Sequence, residues 1–212
     1  KRQVKVGDAP VYFIPNPVDP SHESAQAFAA NPDDMYDLLF AYGNAPEGDP
    51  RHEIPRRILR ELPEVNFKLC VAGQGSGLWG YNYTRTLGLS KCGLNLSRKN
   101  ERGRHAKDGD LYMYSSDRVA HYVGNGLLTL SDAAFDMTSL FSEKEMVYYD
   151  GEEDLHEKIK FYAKNDKERI KIAKAGHKRA HEHYNERKVA QFIEEATFGK
   201  IKSKFGWPLE EA

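Results

Sequence analysis

Six short apolar runs punctuate the chain, at residues 11–14, 37–41, 67–72, 93–96, 126–130 and 146–149, each bounded by Gly, Pro, Asn or charged residues. None of them alternates apolar with polar side chains. A run of about four to eight residues that is apolar throughout suits a strand covered on both faces, as in a parallel sheet between layers of helix. The intervening segments have helical length. Residues 51–62 place Ile54, Ile58, Leu59 and Leu62 at helical spacing, and residues 116–123 follow a Ser-Ser-Asp start that supplies N-cap chemistry. Strands alternating with helices imply βαβ units with right-handed crossovers, and so an α/β fold.

The last third is helical. Residues 154–163 set Leu155, Ile159 and Tyr162 on one face behind an acidic start that suits the helix dipole. Asn165 and Asp166 mark a break. A helix over 167–184 follows, carrying Ile170, Ile172, Ala173 and Ala180. Another begins at Asn185 or Glu186 with Val189, Phe192 and Ile193 inward. His177 and His181 are four apart, but no carboxylate motif accompanies them, and no metal site is expected.

Composition narrows the function classes. With 31 basic and 32 acidic residues, no single sign of charge dominates, which argues against a general nucleic-acid binder. No apolar run approaches the roughly 18–20 residues that span a bilayer, and no signal-peptide pattern opens the sequence. Cys70 and Cys92 lie in apolar runs and read as buried thiols of a reducing compartment. The expected location is cytoplasmic, free or peripheral at the inner face of a membrane.

In an open parallel sheet, ligands bind at the carboxyl ends of the strands, so residues just after each apolar run are the candidates. After 37–41 come Gly43 and Gly48, which allow close backbone approach, and Arg51, suited to a phosphate. After 67–72 comes GQGSGLWG, which lacks both the GxGxxG spacing and the Walker lysine, so a dinucleotide fold is disfavoured and a loop shaped by Trp79 is the plainer reading. After 93–96 come Ser97 and Arg98, either ligand contacts or part of a solvated charged loop.

The stretch 111–132 is the most informative. Its helix starts near Ser115 and Ser116 and ends in Gly124-Asn125-Gly126, a sound C-cap. Free amides near 115–118 would make an anion site suited to a diphosphate. Arg118 and His121, three apart, share a helical face. Asp117 reads as a cap rather than a base. Each residue has a structural alternative: a surface pair or cap for Arg51, an ion pair for Arg118, a packed ring for His121.

Three segments carry a resemblance: SKCGLNLS at 90–97, SSDRVAHYVGNGLLTLSD at 115–132, and residues 145–184 from EMVYYDGEEDL to the Ala-Gly helix with its late His and Tyr. In order and spacing they resemble the C-terminal domain of GT-B glycosyltransferases, nearest to the branch with CgeB-like and glycosyl-transferase-group-1-like domains. Weaker similarity reaches back to IPNPVD at 14–19.

The resemblance implies one half of a GT-B fold: a Rossmann-like parallel sheet flanked by helices, with a helical C-terminal tail. Residues 1–20 would be a linker or edge segment from a preceding acceptor-binding domain, 21–184 the nucleotide-sugar-binding domain, and 185–212 the C-terminal helix and tail. It implies retaining transfer of a sugar from a nucleotide-diphosphate sugar, without metal or other cofactor, in the setting of cell-envelope polysaccharide. The chain alone would be an incomplete half of the enzyme, its catalytic group unassigned. Donor contacts would fall on Gly43, Arg51, Ser97, Arg98, Ser115, Ser116, Arg118, His121 and Asn125. Relatives carry a Glu for the donor ribose where this chain has His121, and a Phe where it has Ala120. That departure leaves open a catalytically degenerate binding or scaffold module.

Overall fold

Ser90–Asn95, the run around Cys92, is buried at every position and forms the middle strand of five. A computed structural model describes residues 12–43, 45–72, 78–96, 115–199 and 201–209. The strands are β1 (Tyr36–Tyr42), β2 (Phe67–Val71), β3 (Ser90–Asn95), β4 (Leu128–Asp132) and β5 (Val147–Tyr149). All neighbours pair in parallel, in the order β2-β1-β3-β4-β5. The register sets Leu38 beside Phe67 and Cys92, and Cys92 beside Leu128.

The helices are α1 (Pro50–Glu61), α2 (Tyr81–Gly88), α3 (Asp117–Gly124), α4 (Gly151–Lys164), α5 (Asp166–His183) and α6 (Glu186–Thr197). On one face of the sheet, Ile58 from α1, Leu62 at its C-cap, and Leu155 and Ile159 from α4 pack onto Leu38, Phe40, Leu94 and Leu130. On the other, Leu87 of α2 and Tyr122 of α3 pack onto Leu39 and Cys70. A third core joins Val119 and Val123 to Tyr184, Phe192, Trp207 and Val18. Val18 donates its amide to Tyr184 and accepts from Glu186, so residues near 18 and the start of α6 pack together on this core.

Both cysteines are free and buried, and burial lifts the Cys92 thiol to about 12. Among the described residues no helix is long and apolar enough to cross a membrane.

Two expectations need correction. Of the run 11–14, Val11 lies outside the described residues and 12–14 belong to no strand of the sheet; Tyr12 instead sets its ring edge-on to Phe192 at 5.6 Å. Ile193, expected to face inward, is 49% exposed, because Phe192 takes the centre of the buried stripe and the next residue turns about 100° away. Gly126 lies in the C-cap of α3, as its sequence implies: its φ of +78° suits glycine, and a Cβ there would stand 2.7 Å from Phe28.

β1 leads through α1 to β2 on one side, and the chain then crosses back over β1 to β3. This reversal opens a crevice between the carboxyl ends of β1 and β3.

Candidate functional site

α3 begins at that crevice. Ser116 is its N-cap in extended backbone, but its hydroxyl makes no cap bond. Instead it donates to Asn95 Oδ1 at 3.2 Å, while Asn95 Nδ2 donates to Ser131 Oγ at 3.0 Å. Tyr149 OH donates to the Asn95 carbonyl at 3.3 Å. This buried chain ties α3 to the ends of β3, β4 and β5. The expected free amides are partly used: Arg118 N donates to Asp117 Oδ1 at 2.8 Å and Val119 N to the Ser116 carbonyl at 3.0 Å. The guanidinium of Arg118 brings a full positive charge to the start of α3.

Arg118 bridges the two strands of the crevice. Its Nη1 donates to the Ala41 carbonyl at 3.3 Å, at the end of β1, and its Nη2 to the Leu96 carbonyl just past β3. The guanidinium lies over the Phe40 ring, 5.0 Å from its centroid. Its Nε is buried with no hydrogen-bond partner. Among the described residues no carboxylate forms an ion pair with it, so its charge meets only carbonyl dipoles and a ring face. One turn on, Tyr122 OH accepts from Ala41 N at 3.3 Å. Burial pushes the Tyr122 phenol up to about 12, so it stays neutral.

His121 sits on the side of α3 that faces α2. Its Nδ1 is 2.7 Å from Glu23 Oε1, and Tyr83 meets its ring edge-on at 5.6 Å. The Glu23 hydrogen bond raises the His121 pKa against the opposing effect of burial. Burial alone would raise the Glu23 carboxyl, but the His121 hydrogen bond and the Asp19 amide bring it below the usual range.

Of the residues expected from sequence, Ser116 and Arg118 meet at the crevice and His121 lies one turn along. Gly43 follows β1 directly and is exposed. Arg51 is turned onto Asp49, with Nε 3.1 Å from Oδ1 and Nη2 2.9 Å from Oδ2. Ser115 accepts Asn16 Nδ2 on its carbonyl. Asn125 is not brought to the crevice: at the far end of α3 its Oδ1 accepts Ala25 N at 3.2 Å and its Nδ2 donates to the His121 carbonyl. A helix that starts at the ligand edge of the sheet necessarily ends at the opposite edge. Ser97 and Arg98, and residues 73–77 of the glycine-rich loop, lie outside the described residues.

Asn95, Phe40, Tyr83 and Glu23 were not singled out. Asn95, ending an otherwise apolar strand run, carried a signal that could have been read; Glu23 carried none.

A cavity of about 480 Å³ opens on the same edge between the starts of α1 and α4. Glu53, Asp132, Asp150 and Glu152 outnumber Arg57 on its walls, and Glu152 already engages Arg57 at 2.7 Å. Excess carboxylate makes this cavity unfavourable for a diphosphate. The rings of His177 and His181 lie 4.2 Å apart, tilted by 41°, with His181 Nε2 2.9 Å from the Gly124 carbonyl. Among the described residues no group of three potential ligands could hold a metal ion.

Solved structures share this architecture. A glycosyltransferase from Rickettsia africae superposes with a TM-score of 0.62 at 10% identity, over 87% of this chain and 56% of that one. The C-terminal domain of a glycosyl transferase group 1 family protein (LpcC) from Francisella tularensis gives 0.51 at 11% identity, covering 80% of this chain and 99% of that domain. HepE from Anabaena, solved in complex with UDP and glucose, gives 0.50 at 13% identity, over 76% and 39%. At such identities the likeness is one of fold, and the chain spans little more than half of the Rickettsia protein. No curated protein matches. The model of the glycosyl transferase-like family matches residues 51–195, from the start of α1 into α6. The chain belongs to the glycosyl transferase-like family, on one α/β half of the GT-B architecture.

Proposed function

We propose that this chain is the donor-binding half of a glycosyltransferase and receives the diphosphate of a nucleotide sugar in the crevice between β1 and β3. The observation that carries this reading is Arg118: a guanidinium at the switch point, unpaired by any described carboxylate, with one buried N–H unused. In sugar transfer the bond from the anomeric carbon to the diphosphate oxygen breaks, and negative charge builds on the leaving phosphate. A fixed guanidinium and the positive end of α3 stabilise that charge in the transition state without a metal. The UDP and glucose bound by HepE support a nucleotide-sugar donor. Retention of anomeric configuration, metal independence and an N-terminal acceptor-binding domain complete the proposal.

Calorimetry of the chain against UDP-, GDP-, ADP- and TDP-sugars tests it, with Arg118→Ala as control. Submillimolar binding to one of them, weakened at least roughly tenfold by Arg118→Ala, is the expected result. A folded chain that binds none overturns the donor reading. It would favour the second reading, a non-catalytic module, for which the observation is His121 where the resembled pattern has a carboxylate.

A further inference from the structure

His121 stands at the position where a carboxylate was expected, and the structure brings it one from elsewhere in the chain. Glu23 lies 98 residues earlier, on the segment that precedes β1, and its carboxylate reaches His121 Nδ1 at 2.7 Å. Three features hold it there. Its other oxygen accepts the Asp19 amide at 2.8 Å. Its side chain is only 7% exposed, so water does not compete for it. Gly124 supplies the room: a Cβ at 124 would stand 2.7 Å from Glu23 Cγ and 2.8 Å from Glu23 Cβ.

The consequence for the ring is specific. With Nδ1 committed to Glu23, Nε2 is the nitrogen left for a ligand, on a side chain 38% exposed and one helical turn from Arg118. We propose that Glu23 is a positioning residue for the donor: it fixes the His121 ring so that Nε2–H serves, beside Arg118, as a further hydrogen-bond donor to the nucleotide sugar. This rests on the donor-binding reading above. It also makes the segment around residues 19–23 a determinant of donor affinity, although Glu23 itself is too buried to touch the ligand.

The groups facing His121 are Glu23 from that segment, Asp117 on its own helix and the Tyr83 ring on α2; His22 acts on Glu23 from the same segment. The doubly protonated ring offers Nε2–H. Once it loses a proton, Nδ1–H stays on Glu23 and Nε2 becomes an acceptor, which repels a phosphate oxygen. Donor affinity therefore falls as pH rises through the raised His121 pKa. Without the Glu23 carboxylate that fall moves to lower pH.

The test uses UDP-glucose, whose diphosphate has no group titrating near neutrality, with GDP-, ADP- and TDP-glucose in parallel. Binding is measured from about pH 5.5 to 8.5 for the wild type, Glu23→Gln and His121→Gln, and His121 is titrated by NMR without ligand. The expected result is a Glu23→Gln protein that binds like wild type at the acid end and whose affinity falls at lower pH than that of the wild type. Its His121 titration should move toward the unperturbed value, and His121→Gln should abolish the pH dependence. Wild-type binding with the same pH profile in Glu23→Gln overturns this inference and leaves the donor reading intact. No binding by wild type overturns both, and the NMR titration then reports only a structural pair.

Discussion

The guanidinium of Arg118 lies over the ring of Phe40, its Cζ 5.0 Å from the centroid, so that a residue of α3 is seated on the end of β1. The stacking and the two carbonyl bonds both require a planar fork. Arg118→Lys keeps the charge but cannot bridge Ala41 and Leu96 together. The expected outcome is a folded protein with donor binding weakened at least roughly tenfold, measured by calorimetry. Wild-type affinity in the lysine variant would show that charge alone suffices.

Gly176 in α5 and Gly88 at the end of α2 make a discriminating pair. A Cβ at 176 would stand 2.3 Å from the backbone oxygen of Glu145, which has no rotamer by which to yield, whereas a Cβ at 88 would meet Ala25 Cβ at 3.4 Å, an ordinary contact. Gly176→Ala is expected to destabilise by about 1–3 kcal/mol despite its better helix propensity. Gly88→Ala should be neutral or stabilising by up to about 1 kcal/mol. Urea unfolding of both variants decides the matter, and equal effects would contradict the packing described here.

Asn95 carries the buried chain that seats the start of α3. Asn95→Ala leaves Ser116 Oγ without its acceptor and Ser131 Oγ without its donor, at an expected cost of about 1–3 kcal/mol. Because the same bonds set where Arg118 begins, donor affinity should fall as well. Lost stability with unchanged affinity would mean that Arg118 is held by its carbonyls alone.

Two histidines shape stability with pH in opposite directions. Burial, assisted by the neighbouring His181, lowers His177 to about 4. The folded state then binds fewer protons there than the unfolded one, so this contribution is complete above about pH 6.5 and is lost as pH falls toward 4. His121, raised by Glu23, contributes stability that is complete below its unfolded pKa and is lost as pH rises through the folded value. Glu23, lowered, adds to the loss on the acid side. Urea midpoints across pH should fall less steeply toward acid in His177→Gln and less steeply toward alkali in His121→Gln.

The proposed reading gives the counter-charge to a guanidinium and so predicts donor binding without a divalent ion. Calorimetry with and without EDTA is expected to give the same affinity within twofold, roughly 0.4 kcal/mol. A larger loss on chelation would reassign the counter-charge to a metal.

How much of this was legible in the sequence varies from element to element. The run at 93–96 announced a strand covered on both faces, because Asn95 is its one polar residue and the rest is glycine and leucine. The place of Ser116 and Arg118 at the crevice was legible because a helix that follows a central strand must start at the ligand edge. α2 escaped a reading by periodicity: Tyr81–Gly88 buries only Thr86 and Leu87, too few residues for a stripe. Asn125 was placed with the donor contacts because it belongs to the same helix, yet the length of α3 carries it to the opposite edge of the sheet.

The sequence by itself determined the alternation of strands and helices, the thorough burial of the strands and the side chain poised at the start of α3. Those properties are local: periodicity and the nature of a cap depend on residues within a turn or two. Only the tertiary structure decided the strand order, the crevice it opens between β1 and β3, and the meeting of Glu23 with His121 across 98 residues. Such meetings depend on which way each crossover turns and where a missing Cβ, as at Gly124, lets two segments close, and neither is written in any short window of the chain.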